Sequence, residues 1–134
     1  MLQPKKSKFR KQFRGRRTGV VTRGTTVVFG DFGLKATSAG WVSSRQIEAA
    51  RKKITYATKR VGKYWMRMFP DKPITKKAVG VKMGSGKGDI FEYVAVVRPG
   101  MVLFEIGGVT SDVAKDAFLK AAHKLSVSTT IIEK

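Results

Sequence analysis

Between Val81 and Asp89 the chain reads VKMGSGKGD, three glycines alternating with a serine and a lysine. Glycine spaced this way beside lysine suits two kinds of chemistry, a loop that cradles the phosphates of a nucleotide or one that grips a nucleic-acid backbone. The phosphate loop of nucleotide enzymes needs a glycine five residues before its Gly-Lys pair and Ser or Thr after it. Around Gly86-Lys87 those outer positions hold Val81 and Gly88, so both fail. The segment also runs towards a strand predicted near Glu92, whereas a phosphate loop opens a helix whose N-terminus faces the anion. What remains is the stretch Lys82, Met83, Gly84, Ser85, Gly86, Lys87 and Gly88, with two cations and free amides suited to a sugar-phosphate chain. A plain hairpin tip is the alternative reading.

Other reactive arrangements are missing. His123 is the only histidine, stands beside Lys124 near the end of a predicted helix, and has no metal partner in its neighbourhood. Asp31, Asp71, Asp89 and Glu105 fall in different predicted elements, and no spacing pairs two of them for acid–base work. There is no cysteine, hence no disulfide and no thiolate metal site. The expectation is a protein that is not an enzyme, with no cofactor and no small-molecule substrate.

Charge gives the positive reading. In 134 residues, 28 Lys and Arg face 9 Asp and Glu, a net +19 that a compact body holds best beside a polyanion. Nine of the cations precede the first acid, Asp31: Lys5, Lys6, Lys8, Arg10, Lys11, Arg14, Arg16, Arg17 and Arg23. Residues 1–23 have little besides Phe9 and Phe13 to bury, so they are expected to form an extended arm, mobile when free. A purely solubilising tail would mix both signs of charge. The two aromatics instead favour an RNA arm, rings meeting bases or a groove while cations meet phosphates. No apolar run approaches the roughly 20 residues that span a bilayer, and the start MLQPKKSKFRK has no apolar segment like that of a signal peptide. A place in the cytosol or within an organelle is expected.

The elements that must hold these residues begin near Thr25. TTVVFGDFGLKAT is expected to give strands bent at Gly30 and Gly33. A helix follows, with Ser43 and Gln46 as a capping box and Gly62 as its stop. Ile47, Ala50, Ile54, Ala57 and Val61 share its apolar face, and Arg45, Lys52 and Lys59 recur every seven residues on another. That cationic stripe is either RNA-binding or merely solvated. KYWMRMFP alternates as a strand up to Pro70. EYVAVVRPGMVLFEIGG is expected to be a hairpin turning at Arg98-Pro99-Gly100. A second helix, from about Ser111 to Leu125, buries Ala114, Ala117, Phe118 and Ala121, with Asp112 in its first turn and Lys124 in its last. VSTTIIE closes as a strand. The fold class is α+β: two helices packed on a mainly antiparallel sheet, one domain over 24–134 behind the arm 1–23.

Five blocks, MLQPKKSKFRKQFRGR, SSRQIEAAR, RMFPDKPITKK, KMGSGKG and VAVVRPG, resemble in order and spacing the bacterial large-subunit ribosomal proteins numbered sixteen, and the likeness runs from Met1 to about Leu125. The resemblance implies an α/β-hammerhead fold, binding to large-subunit (23S-type) ribosomal RNA and a place beside the aminoacyl-tRNA site near the peptidyl transferase centre, among neighbouring large-subunit proteins. By the same resemblance, Lys5 to Arg17 would run through ribosomal RNA towards the elbow and acceptor stem of the bound tRNA, and the loop Lys82 to Gly88 would approach the same region. Two positions depart from the family. Many members have at Lys82 an arginine that some hydroxylate, a modification lysine cannot receive, and many have tryptophan where Tyr93 stands. A free-standing basic nucleic-acid-binding protein or RNA chaperone would share the charge and the arm but not the five blocks.

Overall fold

The computed structural model describes all of residues 1–134. No helix or strand forms before residue 32, and nine elements follow. They are β1 (Phe32–Ala36), β2 (Gly40–Ser43), α1 (Ser44–Ala57), β3 (Lys63–Met66), β4 (Lys72–Lys76), β5 (Asp89–Val97), β6 (Val102–Gly107), α2 (Ser111–Ala122) and β7 (Thr129–Glu133). The class is α+β, as expected, but the strands make two antiparallel sheets and not one. The first has the order β3-β6-β1-β7 and the second β2-β5-β4. One apolar core serves both, with Ile47, Ala50 and Ile54 of α1 and Ala117, Phe118 and Ala121 of α2 packed among Leu34, Phe104 and Ile106 of the first sheet and Val42, Ala95 and Val97 of the second.

The division into two sheets corrects the expected hairpin at Arg98-Pro99-Gly100. The turn exists, with Gly100 at φ +95° and its amide bonded to the Ala36 carbonyl. The strands on either side of it do not pair: β5 lies between β2 and β4, while β6 lies between β3 and β1. Alternating apolar residues on both sides of a Pro-Gly turn specify two buried strands, but not that they bury against the same neighbour. The true hairpin is β4–β5, and its connection is residues 77–88, which contain the glycine-rich loop.

Helix α1 starts as the sequence dictates. The Ser43 hydroxyl accepts from the Gln46 amide and the Gln46 side chain accepts from the Ser43 amide, which satisfies two otherwise unpaired groups at the helix start. Its end comes earlier than Gly62. Thr58 caps the last turn, its hydroxyl donating to the Ile54 carbonyl, and Lys59 and Arg60 both take left-handed φ. Val61 is consequently exposed and off the apolar face. Gly62, at φ +74°, passes so close to the backbone of Gly107 that a Cβ would lie 2.3 Å from its carbonyl oxygen. α2 also ends early, at Ala122, which makes Lys120 and not Lys124 the cation of its last turn.

Residues 25–29 are not a strand. The stretch lies over the face of the first sheet that bears Trp65, Glu105 and Gly33, three cross-strand partners. The absent side chain at Gly33 makes room for Val27, whose methyl would sit 2.8 Å from a Cβ there. Phe29 stacks on Trp65 with ring centroids 6.2 Å apart. Covered on both sides, β6 is buried along its whole length.

Candidate nucleic-acid interface

Glu105, in the middle of β6, has no solvent exposure. One carboxylate oxygen accepts from three successive amides, Val28 at 2.9 Å, Phe29 at 2.8 Å and Gly30 at 3.0 Å, and the other accepts from Arg67 at 2.9 Å. Burial pushes this carboxyl up, but the amides of Gly30, Phe29 and Val28 and then the Arg67 charge outweigh it and hold the pKa below its ordinary value. Arg67 also donates to the Thr26 carbonyl at 2.7 Å and lies over the Phe29 ring. This acid is structural: it fastens the chain where the arm meets the body.

The arm leads away from that anchor across the second sheet. Arg98 donates to the Thr18 carbonyl, and the Lys72 ammonium on β4 donates to the Arg14 carbonyl at 2.5 Å. Lys87, at the base of the glycine loop, donates to the Gln12 carbonyl at 2.6 Å and lies 5.6 Å from the centre of the Phe13 ring, while Lys11 donates to the Lys87 carbonyl. Arg17 stands 4.9 Å from the centre of the Trp41 ring. Lys5, Lys6, Lys8, Arg10, Arg14 and Arg16 are exposed, with Lys11 and Arg17 half-buried. The body's cations thus hold the arm by its backbone, which leaves most of the arm's own cations turned to solvent.

Beyond Lys87 the loop stands clear of the body. Lys82, Met83, Gly84, Ser85, Gly86 and Lys87 are exposed, and Gly84, Ser85 and Gly86 are consecutive left-handed residues. Lys77 donates to the Gly84 carbonyl across the loop base. The structure therefore brings Lys11 and Arg14 of the arm together with the base of the loop, and Arg17 onto Trp41 of β2. Arg45 is placed elsewhere, exposed on the first turn of α1 near Met1 and Leu2. Lys52 and Lys59 line one cleft with Arg51 and Arg60, although Lys59 lies past the end of the helix.

Ion pairs decide which cations are free. There are three in the chain, Arg51–Glu48, Arg67–Glu105 and Lys120–Asp116, so none neutralises a predicted RNA-contacting residue. Glu48, the acid nearest the stripe, is taken by Arg51, whose hydrogen bond holds that carboxyl low and in turn raises the guanidinium. Sequence reasoning passed over Lys72 and Trp41. Their role follows from the contact of β4 and β2 with the arm, which no local pattern announces. His123 is exposed at the end of α2, and no three His, Cys, Asp or Glu side chains gather as a metal site. No helix is long and apolar enough to cross a membrane.

An α+β body carrying an unneutralised cationic arm and loop, with its one fully buried acid committed to structure, has the charge distribution of a protein that binds nucleic acid. The particular family is settled by comparison: residues 4–132 match the family described as ribosomal protein L16p/L10e, and the chain belongs to it. Relatives named large ribosomal subunit protein uL16 cover all of this chain and 98% of their own length. They are 54% identical in Stenotrophomonas maltophilia, 52% in Xanthomonas campestris and 54% in Francisella philomiragia. A ribosomal structural protein, and not an enzyme, is what that membership makes it.

Proposed function

We propose that this chain, a structural constituent of the large ribosomal subunit, binds large-subunit ribosomal RNA and helps to shape and stabilise the aminoacyl-tRNA site. Lys5, Lys6, Lys8, Arg10, Lys11, Arg14, Arg16 and Arg17 of the arm, with Arg45, Lys52 and Lys59 of α1 and its end, meet ribosomal RNA. The loop Lys82 to Gly88 approaches the aminoacyl-site tRNA. Neighbouring ribosomal proteins complete its surroundings in the assembled particle, in the cytoplasm.

One observation carries the reading. The arm is seated on the base of the glycine loop through Lys72 and Lys87, so two cationic segments far apart in sequence form one surface that no acid neutralises. Phosphate contacts of this kind fix position and affinity without reading sequence, as a component that shapes a site requires. The test is a crosslink map of intact large subunits with and without aminoacyl-site tRNA. Arm residues 5–17 are expected to crosslink to ribosomal RNA, and the loop around Lys82 to gain tRNA crosslinks when the site is filled. A loop whose crosslinks ignore tRNA would refute its role, and loss of the protein from the subunit in a high-salt wash would favour a free-standing RNA chaperone.

A further inference from the structure

Under the arm is a cleft of about 170 Å³ lined by Gln12, Arg14, Trp41, Lys72, Thr75 and Lys87, among others. No acid lines it, and Arg14, Lys72 and Lys87 take part in none of the chain's three ion pairs. Each lysine ammonium has three hydrogens to donate. Lys72 donates one to the Arg14 carbonyl and Lys87 one to the Gln12 carbonyl. The indole Nε1–H of Trp41 is buried with no acceptor at all. Trp41 lines the same cleft as Arg14, Lys72 and Lys87, so its indole N–H can report on what enters there. The place has donors and positive charge in excess. What it lacks is an anionic acceptor.

The geometry points to a phosphodiester-binding site: we propose that a backbone phosphate of an RNA strand enters this cleft and is held jointly by Lys72 of β4 and Lys87 of the loop, beneath the arm. This subsite rests on the RNA-binding reading given above. Phosphate, and not a base, is the recognised group for two reasons. The ring of Trp41 already carries the Arg17 guanidinium at 4.9 Å and the Lys72 ammonium at 5.6 Å, so a base stacking there would compete with cations already over the ring. The volume is also well below the roughly 300–1,000 Å³ of sites that enclose a whole small molecule. A phosphate here would lock arm and hairpin into one unit, because the two lysines that hold it also donate to the Arg14 and Gln12 carbonyls of the arm.

The full chain, labelled with ¹⁵N, would be titrated with hexauridylate, an unstructured RNA strand, and separately with inorganic phosphate. Anisotropy of fluorescent hexauridylate would be followed in parallel. The protein has two tryptophans, so its spectrum holds two indole N–H cross-peaks, and Trp41→Phe identifies one. That peak is expected to move with RNA and, at higher concentration, with phosphate. The Lys72→Met/Lys87→Met variant should make the slope of log affinity against log salt shallower by about 1.4, two contacts at about 0.7 each for single strands. If anisotropy reports binding while the Trp41 peak stays still, the subsite is wrong and the RNA-binding reading stands. Absence of binding by anisotropy sinks both. Movement with phosphate alone would make this a small-anion site and overturn the assignment to an RNA strand.

Discussion

Replacing Glu105 by Ala removes the acceptor of three backbone amides and the partner of Arg67 at once. Each buried amide left unsatisfied costs about 1–3 kcal/mol, and truncating one member of a buried ion pair costs about 3–5 kcal/mol. These figures overlap, since the same carboxylate serves all four donors and Arg67 retains the Thr26 carbonyl. The expected loss is about 3–5 kcal/mol, a large part of the 5–15 kcal/mol that typically holds a domain of this kind together. Glu105→Gln keeps an acceptor oxygen but not the charge, and should lose roughly half as much. Urea titration at pH 7 measures both. The pH dependence has a definite sign. A carboxyl whose folded pKa lies below its ordinary value of 4.5 contributes stability that is fully present above that value and is lost as pH falls through the folded pKa. The gap between wild type and Glu105→Gln should therefore narrow as pH falls below about 4.5. A loss under about 1 kcal/mol for Glu105→Ala, or a gap that stays constant down to pH 3, would refute the view that this acid fastens the arm's root.

Deleting residues 1–17 removes eight cations and leaves a body of net charge +11 from +19. If half of the eight reach phosphates, a salt series of ribosomal RNA binding should give a slope shallower by about three, at about 0.7–0.9 per contact, and an unchanged slope would remove the arm from the interface. Lys82→Ala with Lys87→Ala should change stability by less than about 0.5 kcal/mol in denaturant titration while weakening tRNA binding by reconstituted subunits, because both side chains are exposed. Gly62→Ala forces a Cβ against the Gly107 carbonyl at a left-handed position and should cost at least about 2 kcal/mol in the same titration.

Both helices were legible because their signals are local. A capping box and an apolar face at helical spacing need no knowledge of the partner, and Ile47, Ala50, Ile54, Ala117, Phe118 and Ala121 are buried where periodicity puts them. The end of α1 was not, since Gly62 announced a stop while Thr58 supplied it with a hydroxyl directed back to the Ile54 carbonyl. Sheet partition was illegible for a related reason. A strand's alternation states that it has a buried face and says nothing of which neighbour hydrogen-bonds its edge, so β5 and β6 looked like one hairpin. At the interface, the cations and the glycine loop were evident from composition. The seat that gathers arm and loop was not, because it depends on Lys72 and Trp41, which lie on separate strands of one sheet. Glu105 was misleading in its own way: as a scattered acid it looked idle, and its partners are backbone amides that no sequence pattern marks.

The distribution of acids ties these points together. With 9 acids against 28 bases, electrostatics cannot be the source of stability in the free chain, and self-repulsion works against the folded body. Stability must come from the shared apolar core. The acids that do pair hold cations outside the arm and loop: Glu48 fixes Arg51 on α1, Asp116 pairs with Lys120 on the surface of α2, and Glu105 binds Arg67 and orders the turn that launches the arm. The arm and loop receive none. Neutralising those cations internally would strengthen the isolated protein and remove the counterion release on which RNA affinity depends. Their contacts within the chain are accordingly to neutral acceptors, the carbonyls of Gln12 and Lys87 and the face of Trp41, which hold geometry and leave the charge intact. Contrary to the mobile arm expected from composition, the bonds from Lys72, Lys87 and Arg98 to its carbonyls orient the arm on the body, so part of the ordering entropy that a disordered segment would lose on binding is already lost in the free protein.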